Sequence, residues 1–319
     1  MDVIISHRTA FFFWRQFPGG ASSLKRVART RAMTQPGVLT EELLGELASL
    51  GIVPTEQQPV DFLYAGQEHR RRSPRIRPHV MGRDLPAGSL LRVAPHVLVV
   101  CPELCFIELG EDESFARLVH RGCEFCGTYY LDAEYGRPHE REGRSSLTST
   151  AALAKYLGTC APRVVPKAAR SALAYVLDGS ASPRETTLAL LLSLPHRLGG
   201  FGLPAPVLNH VVELDAEARR LYPHATCRCD LYWPDAAFAL EYQGEEAHWD
   251  RYSADIARTA ALQAAGVDVL ALTKAQLADA KAFTTVTGAV AAKLGRTLRV
   301  RREDFVLRHE ELREAFGLR

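Results

Sequence analysis

Apolar residues recur along the chain in two periods, one near 3.6 and one near 2. Ser6 stands as a cap before Phe11, Phe12, Phe13 and Trp14, which predicts a short helix anchored in a core. Leu43, Leu44, Leu47 and Leu50 share one side of a second expected helix, which starts after Thr40 and stops at Gly51. Two helices in an N-terminal stretch permit a helix-turn-helix reading. From Val60 to Val100 the pattern becomes β-like, with short runs at 60–64, 90–93 and 97–100, and with Pro86 and Gly88 as turn formers. Helical patterns return at 102–109, 112–121 and 147–158, and an Ala-rich one runs from about 162 to 177.

The turn formers of Asp178-Gly179-Ser180-Ala181-Ser182-Pro183 separate two helical patterns and mark the expected boundary. Residues 1–178 then form an α+β domain, with a helical DNA- or partner-binding start followed by a small sheet. Residues 179–319 form a second, α/β domain. Its expected elements are a helix at 183–195, strands near 207–213, 228–233 and 238–243, and a helix at 253–265 ending at Gly266. A strand at 267–272 and a helix capped by Thr273 complete it.

Composition narrows the class without naming a function. A length of 319 residues fits two domains at about 150 residues each. With 47% hydrophobic and 24% charged residues the chain reads as packed and globular, not disordered. Thirty-nine Lys and Arg against 37 Asp and Glu leave a net charge of +2, so only local clustering can point to nucleic acid. Seven cysteines are too few, and odd in number, for a disulfide scaffold. No apolar run reaches the roughly 18 residues of a membrane span. The start lacks the basic-then-apolar order of a signal peptide. A soluble cytoplasmic protein is the expectation.

The densest chemistry lies in residues 229–244. Pro234-Asp235-Ala236-Ala237 suits a four-residue hairpin loop, and the register it sets puts 233 opposite 238 and Asp230 opposite Glu241. Directly opposed like charges destabilise a sheet unless something compensates them, and a divalent cation with a preference for hard oxygen ligands would do so. Gln243 falls on the face of Glu241.

The order helix, three strands, helix, strand, with Asp230 on the second strand and Glu241-Tyr242-Gln243 on the third, resembles the PD-(D/E)xK nuclease core. Gly244, His248, Asp255, Arg258 and then Gly266-Val267-Asp268-Val269-Leu270 resemble the branch related to very-short-patch repair endonucleases. The resemblance covers about residues 183–280 and rests on many weak positions in one order. It implies a restriction-endonuclease-like domain in which Asp230 and Glu241 hold Mg²⁺ or Mn²⁺. It also implies Glu185 as a further acidic member, His248 as a proton-transfer or phosphate-contacting group, and Asp255 and Arg258 as braces or backbone contacts. The family pattern has Lys where this chain has Gln243, which donates a hydrogen bond but carries no charge and is no general base.

Plainer readings stand beside these. Ser182 and Glu185 fit a capping box, Asp230 and Glu241 fit a solvated sheet edge, and His248 fits a surface residue. Asp255 and Arg258 fit an i,i+3 helical pair. Cys123-x-x-Cys126 has zinc-ligand spacing, but Cys227-x-Cys229 does not match it, and Cys101 and Cys105 read as small core residues.

Arg70, Arg71, Arg72, Arg75 and Arg77 form a block with no acid among them, suited either to phosphate contacts or to plain solvation. A second basic stretch spans 296–302. Ser6-His7-Arg8-Thr9-Ala10, Arg77-Pro78-His79 and Leu85-Pro86-Ala87-Gly88 resemble the abortive-infection antitoxin and regulator proteins of bacteria. The expected function is therefore Mg²⁺-dependent hydrolysis of DNA in bacterial defence or repair. The alternative is a non-catalytic regulator or antitoxin that binds nucleic acid or a protein partner on a degenerate nuclease fold. No membrane partner is expected.

Overall fold

The structure is a computed structural model, and it describes residues 2–27, 39–66, 73–80, 85–134, 137–160, 165–244, 249–300 and 303–318. The protein is of mixed α/β type and divides into two compact units, Met1–Val176 and Leu177–Arg319.

In the first unit, strand β1 (Val3–Ile5) leads directly into helix α1 (His7–Gln16). β2 (Lys25–Arg26), helix α2 (Glu41–Ser49), β3 (Val60–Tyr64), β4 (Ile76–Val80), β5 (Leu90–Ala94) and β6 (Val97–Val100) follow. They build a six-stranded sheet in the order β2-β5-β6-β1-β3-β4. Its central strands β1, β3 and β6 are apolar and buried along nearly their whole length, as strands covered on both faces must be. Helices α3 (Pro102–Asp112) and α4 (Phe115–Phe125), the hairpin β7 (Tyr129–Glu134) and β8 (Arg137–Glu142), and helices α5 (Thr150–Thr159) and α6 (Lys167–Leu173) complete the unit. The Ala-rich helix is shorter than its composition suggests.

Thr40 caps α2 through the Leu43 amide, and Gly51 at φ +73° takes the left-handed conformation that ends it. The helix-turn-helix reading of the N-terminal stretch is overturned. Residues 17–40, including β2, separate α1 from α2, where such a motif joins its helices by a 3–4-residue turn. α1 packs on α3, β3 and β7, whereas α2 lies on β6. Periodicity located both helices but said nothing of the sheet strands around them.

The second unit opens with α7 (Pro183–Ser193), whose residues Glu185–Leu192 are all buried. β9 (Val207–Glu213), α8 (Ala218–Leu221), β10 (Thr226–Trp233), β11 (Phe238–Gln243), α9 (Trp249–Ala264) and β12 (Asp268–Thr273) follow. α10 (Lys274–Ala278), α11 (Ala280–Lys293) and α12 (Phe305–Ala315) close the chain. The sheet order is β12-β11-β10-β9, antiparallel from β9 to β11 and parallel between β11 and β12. Cys227, Cys229, Ala239, Ala261, Leu262 and Val267 form a core beneath α8 and α9. Gly266 at φ +82° ends α9 and turns the chain into β12. Thr273 forms a full capping box with Gln276.

Trp14 is fully buried and its Nε1 donates to the Val100 carbonyl at 2.9 Å, which ties α1 to β6. Trp14→Ala is expected to destabilise the first unit by about 3–5 kcal/mol. The half-exposed Phe12 on the same helix should cost under about 1 kcal/mol when cut to Ala. Urea unfolding of the two variants checks both values.

Candidate functional site

The expected hairpin register is present. Trp233 pairs with Phe238, Tyr232 with Ala239 and Leu231 with Leu240; the paired rungs end there, and Asp230 and Glu241 are the next residue on each strand. Pro234–Ala236 make a 3-10 turn, and Ala237 takes a left-handed φ of +43° to close the loop. At the Asp230–Glu241 level, side chains accept from the facing strand's backbone. Asp230 Oδ2 accepts from the Tyr242 amide at 2.8 Å, and Glu241 Oε1 accepts from the Asp230 amide at 3.3 Å.

Glu185 comes to the same region from α7. Ser182 caps the helix by accepting from the Glu185 amide, but the Glu185 carboxylate reaches back to the Ala181 amide at 3.0 Å, not to the Ser182 amide. The capping box is therefore half formed. Glu185 is buried, and the charge of Asp230 adds to the burial; together they raise its carboxyl to about 7. Burial and Asp230 raise Glu241 as well, and the Arg258 guanidinium opposes them.

Arg258, on α9, pairs with Glu241 Oε2 and donates to the Arg228 carbonyl at 2.8 Å. Of the two roles expected for Arg258, this geometry is that of a brace. Asp255 is exposed on the same helix. Gln243 is exposed at the end of β11, two residues beyond Glu241. His248 lies outside the described residues, as do Arg70, Arg71 and Arg72.

Asn209 is a member of this neighbourhood that the strand pattern did not single out. It interrupts the β9–β10 ladder between the pairs Leu208–Leu231 and His210–Cys229, with φ +51°. Asn tolerates that conformation better than most residues. Its Nδ2 donates to Glu185 Oε2 at 2.6 Å and to the Gly179 carbonyl at 3.0 Å. Its Oδ1 is buried without a hydrogen-bond partner among the described residues. The signal was an Asn inside the run Val207-Leu208-Asn209-His210-Val211-Val212, because Asn is depleted in strands.

The donor set suits a hard divalent cation: carboxylates from Asp230 and Glu241, mutually repelling charge, and an unpartnered amide oxygen nearby. The three carboxylates do not by themselves close a compact cage. Among the described residues, Glu42, Glu46 and His96 are the one trio of metal-type side chains whose ligand atoms lie within 4.8 Å of one another, and that trio is in the first unit. Cys123 and Cys126 are buried and belong to no such group. Cys227 and Cys229 are buried core residues.

In the basic block, Arg75 is exposed, while Arg77 lies in β4 beside Asp61 of β3. Arg77 Nη1 sits 3.4 Å from Asp61 Oδ1, and His79 Nε2 reaches the same oxygen at 2.8 Å. Among the described residues, no helix is long and apolar enough to cross a membrane. The chain matches no protein-family model, no curated protein and no solved structure.

Burying Glu185 near Asp230 sets a direction for stability against pH. Its folded carboxyl ionises near 7 and its unfolded one near the ordinary value of 4.5, so the unfolded state loses its proton first. Stability therefore falls as pH rises from 4.5 to about 7. Glu185→Gln should remove up to about 3 kcal/mol of that fall. Denaturant midpoints at pH 5 and pH 7.5 check it: wild type should lose more stability than the variant between the two.

Proposed function

We propose that residues 177–319 form a restriction-endonuclease-like domain that hydrolyses phosphodiester bonds of DNA with Mg²⁺ or Mn²⁺, in bacterial defence or repair. The observation that carries this reading is that the β10–β11 register ends beside Asp230 and Glu241, where the Glu241 carboxylate accepts from the Asp230 amide, while Glu185 is held in the reach of Asp230's charge. The order α7-β9-α8-β10-β11-α9-β12 supports it: apart from the four-residue α8 between β9 and β10, it follows the helix, three strands, helix, strand order of the family resembled.

In this reading Asp230 and Glu241 hold the cation. The bound ion supplies positive charge to the phosphate oxygens and makes a water more acidic. Arg258 fixes one oxygen of Glu241, leaving its partner oxygen toward Asp230. Glu185, with its carboxyl near 7, holds or releases a proton close to neutral pH. Gln243 orients a water by donating to it but does not take its proton.

A second reading has its own observation. Arg258 already neutralises Glu241, and an internal cation can stand where a metal would, which suits a non-catalytic regulator that binds DNA. Incubation with supercoiled plasmid separates the two. The nuclease reading expects nicking that requires Mg²⁺ or Mn²⁺, falls to background in Asp230→Ala and rises in Gln243→Lys. An absence of nicking, together with DNA binding that weakens as salt rises, would favour the regulator.

A further inference from the structure

The first unit holds a cavity of about 530 Å³, well within the range of small-ligand sites. One wall is α1. That helix is buried on every side except a stripe at i, i+4 and i+8, namely Arg8, Phe12 and Gln16, and all three line the cavity. By helical rise the stripe spans about 12 Å. Phe12 is 45% exposed at its centre, in a helix that buries Phe11, Phe13 and Trp14. The rest of the lining includes Ile52 and Val53, the latter 67% exposed, together with Gln57 and Gln58.

The end of the cavity near Arg8 has a built floor. Asp61 is buried and accepts from the Thr9 amide and hydroxyl through Oδ2, and from His79 and Arg77 through Oδ1. His79 stacks on His7 with ring centres 3.5 Å apart. His7 is buried at φ +47°, a conformation a non-glycine residue keeps only where its surroundings enforce it. Its amide is held by Glu108, and its ring lies 3.0 Å from the Ser6 hydroxyl. These buried polar groups fix the first turn of α1, and with it Arg8.

Asp61 is thus committed to its own partners. Arg77, half exposed, has one long contact to it, and Arg8 has no hydrogen bond or ion pair among the described residues. The cavity is lined by two guanidinium groups, Arg8 and Arg77, by the apolar Phe12, Ile52 and Val53, and by amide side chains at Gln16, Gln57 and Gln58. Guanidinium groups bind phosphate, an aromatic face stacks a flat heterocycle, and amides match the donor and acceptor edges of a base. We propose that this cavity binds a nucleotide, with its phosphate on Arg8 and Arg77 and its base stacked on Phe12. The site is independent of the nuclease reading.

Calorimetric titration of the full chain, with EDTA present to exclude metal effects, tests it. The probes are the four ribonucleoside 5′-monophosphates, adenosine, inorganic phosphate and a 5′-phosphorylated dinucleotide. At least one monophosphate should bind at one per chain, at least about tenfold tighter than adenosine or phosphate. Arg8→Ala and Phe12→Ala should each weaken it about tenfold or more, and Phe12→Tyr should retain it. Both side chains are exposed, so unchanged unfolding midpoints would show that the variants fold. Equal or tighter binding of the dinucleotide would assign the site to a strand end; weaker binding would assign it to the free nucleotide. The proposal is overturned if no monophosphate binds at about 1 mM, if phosphate alone binds as well, or if Phe12→Ala changes nothing.

Discussion

Asp230 and Glu241 are brought beside each other by a hairpin whose register is set elsewhere, by its 3-10 turn and by the apolar pairs Trp233–Phe238 and Leu231–Leu240. Sliding the strands by one residue would turn those apolar side chains to the wrong face, so the register holds and the charges must be accommodated. They are accommodated by three local devices. Backbone amides donate to both carboxylates, Arg258 pairs with Glu241, and Glu185 and Glu241 have raised carboxyl pKa values that let them carry less charge near neutrality. Removing one partner from such a buried set leaves an uncompensated charge, which is why the site and its stability are linked.

Much of this was legible in the sequence, and the reason is local. A Pro-Asp-Ala-Ala loop between two apolar runs carries its own register, so the placing of Asp230 beside Glu241 could be read without any tertiary information. The Gly51 and Gly266 stops and the Thr40 and Thr273 caps were legible for the same reason. Glu185 was ambiguous because the residue that caps a helix and the residue that faces a site have the same identity. In the structure it reaches the Ala181 amide and Asn209 while lying in the field of Asp230.

What was not legible depends on long-range pairing. β1 and β4 are short and carry no alternation of their own; β1 is three apolar residues set between β6 and β3, and β4 contains Pro78 in a basic stretch at the sheet edge. Asp61 gave no signal, since its partners Thr9 and His79 come from 52 residues before it and 18 after it. Asn209 was visible only as an anomaly in a strand, and its meaning required the carboxylate from α7. The exposed stripe of α1 was likewise hidden, because Phe12 reads as one more core aromatic until the other faces of the helix are seen to be covered.

Cation binding at the Asp230–Glu241 pair is the central expectation for the second unit, and titration calorimetry with Mn²⁺ tests it most directly. Run near pH 6 in buffers of different ionisation enthalpy, it should show one ion per chain with a buffer-dependent heat, because the Glu241 carboxyl, whose pKa is raised, releases its proton when it takes a metal. Asp230→Asn should abolish that binding while the chain stays folded. A chain that takes up no Mn²⁺ at millimolar concentration, or takes it up equally well without the Asp230 charge, would contradict the account.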